Sequence, residues 1–276
     1  MSENERVASP APRPPLEFGT IVVVGGGCYG SYYVRQLRRA ASANAIRWSR
    51  LLVVDRDPNC SMAPSTGAHH SIGGVGPIEL IESDWRTFFR EYLDASASDR
   101  TASDRDAIVP SPLMPHLMFE WILLRARERW PDREVGTKPL ETPPPTPWQR
   151  ATVNGPHYVS FASWMCPINC IEPRICPHTR GPRDWSLPDA ARSYVAEEQA
   201  NGRLLAGPVI FHCTHRTYGV GMFDTAAVIE GDDLVRRVAE QSGADLLVGT
   251  MSHCHGAFER LVVGPPVSHR FADSRH

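Results

Sequence analysis

A glycine-rich turn between an apolar strand and a helix is the feature that most constrains the fold of this chain. Four β-branched residues, Ile21–Val24, precede the segment GGGCYG at positions 25–30, and apolar residues at helical spacing follow. In such a turn the first glycine permits a tight bend, the second lets a diphosphate approach the backbone, and the third allows close helix packing. The helix N-terminus also favours an anion. The sequence therefore predicts a nucleotide-binding strand–turn–helix unit.

Further strand and helix patterns alternate along the first half of the chain. Short apolar runs predict three more strands, at Leu51–Val54, Ile78–Ile81 and Ala107–Val109. Apolar residues at helical spacing predict helices over 31–41, from Trp85 onward, and over 116–127. This alternation favours an α/β fold with a doubly wound, parallel, Rossmann-like sheet, followed by an elaborated Cys/His-rich C-terminal half.

Composition divides the chain into four regions. Residues 1–16 read as a disordered leader, 17–130 as the dinucleotide-binding domain, 131–150 as a proline-rich connector, and 151–276 as a Cys/His-rich region. The connector is expected to be extended and unpacked. In the last region, strands are predicted over 157–163, 209–213 and 245–251, and a helix over 232–241. These elements form either a second module or further strands of the same sheet.

The overall charge excludes some function classes. The chain has 29 basic and 31 acidic side chains, a formal net charge of -2, so we expect neither nucleic acid nor an anionic membrane as a partner. It contains no long apolar run and no apolar leader, which predicts a soluble cytoplasmic protein. The seven cysteines favour thiol or metal chemistry over a secreted disulfide framework.

The segments IVVVGGGCYGSYYVRQL, LLVVDRDP, ELIESDW and DRDAIVPS together resemble the TrkA-N or RCK nucleotide-binding domain. The resemblance covers only about the first 40% of the chain and implies a nucleotide-binding role for the glycine loop and the acidic strand ends. Asp55 would accept hydrogen bonds from an adenosine ribose, which favours NAD, although the adjacent Arg56 keeps NADP open. The residues predicted to bind the cofactor are Gly25, Gly27, Cys28, Tyr29, Gly30, Asp55 and Asp84.

An S-adenosylmethionine-dependent methyltransferase is the alternative interpretation of the same unit. It also uses a glycine loop and an acidic end of the second strand. Val24 and Tyr29 count against it, because that fold often has an acidic residue near Val24 and a glycine in place of Tyr29.

Three cysteines within a short proline-rich segment give the most distinctive chemical signal. Cys166, Cys170 and Cys176 lie close in sequence, and their thiolates would suit zinc or an iron-sulfur cluster. The candidates for a fourth ligand are His178, Cys213 and Cys254. A redox pair of Cys166 with Cys170, or inert structural cysteines, remain alternatives.

Two histidine clusters accompany these cysteines. One is HCTH at 212–215 and the other is SHCHG at 252–256, both at predicted strand ends, where ligands bind in open α/β sheets. If the second segment is extended, His253 and His255 point to one face and Cys254 to the other. We predict His253 and His255 as the catalytic acid–base residues.

Together these features predict an NAD(P)-linked oxidoreductase with a small-molecule substrate or redox partner. The alternative from another class is a non-catalytic, nucleotide-binding redox or metal sensor. Arg180, Arg183 and Asp184 either bind an anionic substrate or hold the cysteine loop by salt bridges. His69 and His70 lie in a loop that either covers a nucleotide or is simply solvated.

Overall fold

The chain folds into two sheets with helices packed between and around them. The computed structural model describes residues 14–63, 75–153, 155–162, 166 and 170–266. The helices in these ranges are α1 (Cys28–Ser42), α2 (Trp85–Ser98), α3 (Leu117–Arg129), α4 (Leu187–Ala200) and α5 (Thr225–Ala239). The fold is α/β.

The strands of the first sheet are β1 (Leu16–Val24), β2 (Ile46–Asp55), β3 (Ile78–Glu82), β4 (Ala107–Val109), β9 (Thr214–Thr217) and β10 (Val220–Asp224). Those of the second are β5 (Val135–Lys138), β6 (Trp148–Ala151), β7 (His157–Ser160), β8 (Leu205–His212), β11 (Ala244–Met251) and β12 (His255–Val263). Their orders are β3-β2-β1-β4-β10-β9 and β6-β7-β12-β11-β8, and β5 also pairs with β12.

The parallel half of the first sheet confirms the strands and helices predicted there. β1 pairs in parallel with both β2 and β4, and β2 pairs in parallel with β3. Ile21–Val24 are almost fully buried, because helices or loops cover both faces of a parallel sheet. This arrangement places the glycine turn at the carboxyl edge of the sheet.

The C-terminal half contributes to both sheets, so both alternatives left open by the sequence occur together. β10 pairs antiparallel with β4 and with β9, which extends the first sheet. β8 ends at His212 and β9 begins at Thr214, so Cys213 alone separates strands of different sheets. One apolar core containing α3, α5 and residues of both sheets joins the two halves.

The second sheet is mixed. β11 pairs in parallel with β8 and antiparallel with β12, whose other edge pairs with β7 and β5. α4 covers one face through Leu187, Ala191 and Val195. The carboxyl ends of β8 and β11 lie side by side, since His212 is opposite Met251 in the register.

Several element predictions need correction. The stretch 131–147 is not simply unpacked, because Val135–Lys138 forms β5 against β12. α4 was missed although Ser186 caps it and Pro188 stands in its first turn, both ordinary helix-start signals. The predicted leader lies largely outside the described residues, and β1 already begins at Leu16. The loop that contains His69 and His70 lies entirely outside them.

Within the residues that the structure describes, no helix combines the length and apolar character needed to span a bilayer.

The third glycine of the turn is expected to be essential for folding. A Cβ at Gly30 would collide with the carbonyl oxygen of Gly25, whereas a Cβ at Gly27 would meet nothing within 4 Å. Gly30→Ala should therefore lower the free energy of unfolding by about 2 kcal/mol or more, and Gly27→Ala should change it by less than about 0.5 kcal/mol. Urea unfolding measures both. Equal stability of the two variants would contradict the role assigned to Gly30.

The partly buried carboxyl group of Glu259 on β12 should make the free energy of unfolding fall as the pH rises. Burial raises its pKa from 4.5 to about 7 in the folded protein, and nearby Glu120 adds to the effect while His116 opposes it. Because the folded state then holds a proton that the unfolded state loses, stability falls between pH 4.5 and about 7.

Glu259→Gln should flatten this decline and raise the free energy of unfolding above pH 7 by about 1–3 kcal/mol. Glu230→Gln, which removes an exposed carboxylate of α5, serves as the control and should leave the pH profile unchanged. Denaturant unfolding across the pH range measures the effect. A Glu259→Gln profile with the wild-type slope would show that this carboxyl group is not the cause.

Candidate functional site

The glycine turn has the backbone geometry that the sequence predicted for an anion site. Gly25 adopts a φ of 86°, which glycine tolerates and other residues rarely do. Gly27 is the N-cap of α1 and provides no side-chain hydrogen bond, so α1 begins at Cys28 without a side-chain cap. The first-turn amides of α1 are the groups that a phosphate would satisfy.

The two predicted acidic cofactor ligands make local hydrogen bonds. Asp55 accepts from the backbone N–H of Gly26 at 2.6 Å and from that of Asp57 at 2.9 Å. Asp84 caps α2 by accepting from the N–H groups of Arg86 and Thr87. Asp55 therefore fixes the glycine turn against the end of β2, and Asp84 starts a helix.

A cavity of about 310 Å³ opens beside the turn, between α1 and the residues that follow β2. Its lining includes Cys28, Ser31, Arg35 and Arg38 of α1, together with Ser61. Two guanidinium groups and two hydroxyls give this cavity the chemistry of an anion-binding surface. Its polar wall adjoins the first turn of α1.

Glu172 is the centre of a second group of polar residues, located beyond the carboxyl ends of β8 and β11. Its Oε1 accepts the backbone N–H of His253 at 3.1 Å, and its Oε2 lies 3.3 Å from Nδ1 of His215. The hydroxyl of Ser252 and the thiol of Cys254 also donate to this carboxylate. Burial alone would raise the pKa of Glu172, but the close contact with His215 and the hydroxyl of Ser252 outweigh it and lower the pKa to about 2.

Glu172 thereby remains an anion with only 12% of its side chain exposed. Its own backbone has a φ of 51°, an uncommon conformation for a residue with a side chain. Such strain is tolerated where surrounding contacts stabilise it. The four donors around the carboxylate provide those contacts.

Four histidines surround this carboxylate. His215 lies on β9, His212 ends β8, His255 begins β12, and the ring of His253 stacks on that of His212 with centroids 6.4 Å apart. Burial lowers the pKa of His212 and of His255, which favours neutral imidazoles at physiological pH. The group combines one fixed anion with two imidazoles, His212 and His255, whose neutral form is favoured.

Residues 252–254 are not extended, so the condition under which His253 and His255 would share one strand face is not met. β11 ends at Met251 and β12 begins at His255, so Ser252, His253 and Cys254 form the connection between two antiparallel strands. The hydroxyl oxygen of Ser252 accepts the N–H of Cys254 at 3.2 Å, which closes this turn. His253 and His255 consequently do not alternate on one strand face. They reach the same group because the turn folds around Glu172.

Two of the predicted thiolate ligands are neutral thiols in this arrangement. Burial raises the pKa of Cys213 to about 12, and the negative charge of Glu172 adds to the shift. Burial likewise raises the pKa of Cys254 to about 12. The Cys254 sulfur also accepts the indole N–H of Trp185 at 3.4 Å.

Cys176 differs, because its turn favours the thiolate. Burial opposes ionisation, but N–H groups of Thr179 and His178, the Thr179 hydroxyl and the charge of Arg183 outweigh it and lower its pKa. Cys166 and Cys170 are each half-buried and unoxidised, and His178 is exposed. Among the described residues, no three His, Cys, Asp or Glu side chains come close enough together to hold a metal ion.

The glycine turn and the Glu172 group are connected through α1. Tyr33 on α1 is largely buried and lies within electrostatic range of Cys213. A Cβ on Gly221 of β10 would lie 2.7 Å from the Cys213 sulfur and 3.7 Å from Nε2 of His215. The helix that begins at the glycine turn packs on β10, the strand next to β9, which carries His215.

Sequence reasoning missed Glu172 altogether and named His215 only within a cluster. The available signal was that Glu172 is the sole carboxylate between Cys166 and Arg183, within a segment rich in chemically active residues. A segment with one anion and several potential donors predicts a buried ion pair or hydrogen-bonded hub.

The contact between Glu172 and His215 can be tested by a double-mutant cycle. Because both groups are largely buried, Glu172→Gln and His215→Asn should show a coupling energy of about 1–3 kcal/mol in urea unfolding at neutral pH. Asp184→Asn, which neutralises an exposed carboxylate in the same segment, should show no coupling with His215→Asn. Additive effects of the first pair would contradict the contact.

Comparison with known proteins corrects the family expected from the sequence. A model of the AF_1314_C family, described as the C-terminal domain of an uncharacterized protein, matches residues 118–264, from α3 to just beyond β12. No curated protein and no solved structure matches the sequence. The resemblance to TrkA-N or RCK domains is wrong, because glycine loops and acidic strand ends are shared by many α/β folds and specify no family. Since the matched model covers more than half of the chain, including the whole Glu172 group, the chain belongs to the AF_1314_C family.

Proposed function

We propose that the protein is an NAD(P)-linked oxidoreductase that uses the histidines around Glu172 for proton transfer. The observation that carries this proposal is the buried Glu172–His215 pair, located at the carboxyl ends of neighbouring parallel strands; His215 lies on β9, next to the strand that α1 contacts. Ligands in open α/β sheets bind at such edges. A carboxylate that orients an imidazole is a recurrent arrangement for acid–base catalysis.

The residues of the glycine turn fit a dinucleotide. Gly27 leaves open space where a side chain would stand, and α1 begins there without a side-chain cap. Gly25, Gly27 and the first turn of α1, including Cys28, would hold the diphosphate. Arg35 and Arg38 in the adjoining cavity add positive charge for a phosphate. When bound, a nicotinamide dinucleotide supplies the hydride donor or acceptor.

The histidines supply the proton chemistry that accompanies hydride transfer. Oxidation of an alcohol requires a base for the hydroxyl proton, and reduction of a carbonyl requires an acid. Glu172 faces Nδ1 of His215, which favours the proton on Nδ1 and leaves Nε2, on the opposite side of the ring, as the base. The fixed carboxylate then stabilises the imidazolium that forms. His255, kept neutral by burial, is the second proton carrier of the group.

The donor chemistry does not fit a metal held by the complete predicted cysteine set. No three His, Cys, Asp or Glu side chains in the part of the chain that the structure describes come close enough together to hold an ion. The proposed proton transfer therefore depends on histidine and glutamate alone.

Nucleotide binding is the first test. Purified protein should bind NADH or NADPH, measured by the fluorescence of the reduced nicotinamide. Gly27→Val should weaken binding by about tenfold or more at unchanged thermal stability, because the fold has room for the side chain but the diphosphate does not. Gly136→Val, an equally unhindered position on β5, is the matched control. Retention of S-adenosylmethionine in preference to both nucleotides would support methyl transfer and contradict the proposal.

Turnover is the second test. In a panel of small alcohols, hydroxy acids and their carbonyl counterparts, His215→Asn should lower kcat by about 10²–10⁴-fold. Its affinity for the nucleotide should not change. His116→Asn, which alters a histidine at the start of α3, is the control and should retain wild-type activity. Nucleotide binding without turnover of any compound would favour the sensor alternative.

A further inference from the structure

A short basic hairpin lies next to the Glu172 group. Residues 174–183 fold back through the bridge between Ile175 and Pro182, and the N–H of Arg183 donates to the carbonyl of Arg174 at 2.9 Å. The turn is closed by an N–H···O bond from Arg180 to Cys176 at 2.8 Å. This segment carries three arginines and a histidine but no carboxylate. It is therefore a locally ordered, positively charged element.

Arg183 is the member of this hairpin that reaches the Glu172 group. It is half-buried, and its charge acts on Glu172, Cys176 and Cys254. Two residues further along, the indole of Trp185 donates to the sulfur of Cys254, which fixes the end of the hairpin against the turn after β11. Arg183 therefore lies two residues before the contact that anchors the hairpin to the turn containing His253.

Arg183 forms no salt bridge with a carboxylate within the described part of the chain, although its charge acts on Glu172. The salt bridges of the described residues include neither Arg183 nor Arg180. The contacts of Glu172 are instead with His215, Ser252 and the turn at 253–254. The neighbouring Asp184 is exposed and forms no salt bridge with either arginine. The sequence left two roles open for these arginines: binding an anionic substrate, or holding the cysteine loop by salt bridges. The structure does not support the second.

We propose that Arg183 binds an oxyanion of the substrate, a carboxylate or a phosphate, beside His215. This inference deepens the proposed function and rests on it for the identity of the reaction, but not for anion binding itself. A half-buried guanidinium without a salt bridge is costly, and a planar oxyanion satisfies its donor fork with two parallel hydrogen bonds. The substrate class is accordingly a small hydroxy or carbonyl compound that carries a negative group.

Anion binding to the nucleotide-free protein tests the proposal. Inorganic phosphate and acetate are titrated separately by calorimetry against sodium chloride of equal ionic strength. Wild-type protein should bind at least one of them, and Arg183→Gln should weaken that affinity by about tenfold or more. Arg183→Lys retains the charge but not the fork, and should give an intermediate affinity. The preferred anion distinguishes a phosphorylated substrate from a carboxylic acid.

Arg237→Gln, which removes an exposed arginine of α5, is the matched control and should bind as the wild type does. Equal anion affinity of Arg183→Gln and wild type, or absence of binding by the wild type, would overturn the inference. Circular dichroism verifies folding, and Arg183→Lys provides the comparison if Arg183→Gln does not fold. Because no nucleotide is present, anion binding that depends on Arg183 would stand even if the nucleotide tests fail.

Discussion

The need to satisfy one buried carboxylate organises the C-terminal half of this protein. A charge removed from water is stable only if donors replace its hydration, and Glu172 obtains them from His215, Ser252, Cys254 and the backbone of His253. These donors come from two separate parts of the chain, and Glu172 itself lies in a third. The carboxylate therefore holds together the turn after β11, the start of β9 and the segment preceding the basic hairpin.

This arrangement also explains why two kinds of cysteine occur so close together. Cys213 and Cys254 face the negative charge of Glu172 in a buried environment, so the thiol form is stabilised. Cys176 lies in a turn whose amides and a neighbouring guanidinium favour the thiolate. Chemical identity alone does not distinguish them, since the environment of each sulfur sets its reactivity.

The sequence was sufficient to predict elements that depend on local pattern. The glycine turn, β1 to β4 and the helices between them have contiguous apolar runs and helical spacing, and the structure confirms them. The packing of β5 against β12, and the crossing of the chain from β8 into β9, depend on contacts between distant residues, which no local pattern encodes. Glu172 escaped notice for the same reason. A single glutamate acquires its importance only when remote donors surround it.

The candidate site shows a similar division. His253 and His255 were identified from their clustering at a strand end, and both do lie beside Glu172, but they do not share one strand face because a turn takes the place of an extended segment. Asp55 was identified correctly as the end of β2, yet its two oxygens already accept backbone N–H groups. Hydrogen bonds of this kind follow from the conformation of the turn and not from residue type.

The junction at Cys213 has a thermodynamic consequence. One residue separates the last position of β8 from the first of β9. A displacement of one sheet relative to the other must therefore change the backbone conformation between His212 and Thr214. α1 contacts β10, which pairs with β9 next to this junction. A ligand that binds more tightly to one arrangement of the two sheets shifts the protein towards that arrangement. It thereby changes the affinity for a second ligand at a neighbouring site. Linkage requires the second ligand to change the affinity for the first by the same factor. The connection through Cys213 thus ties the position of His212 in the second sheet to that of Thr214 in the first.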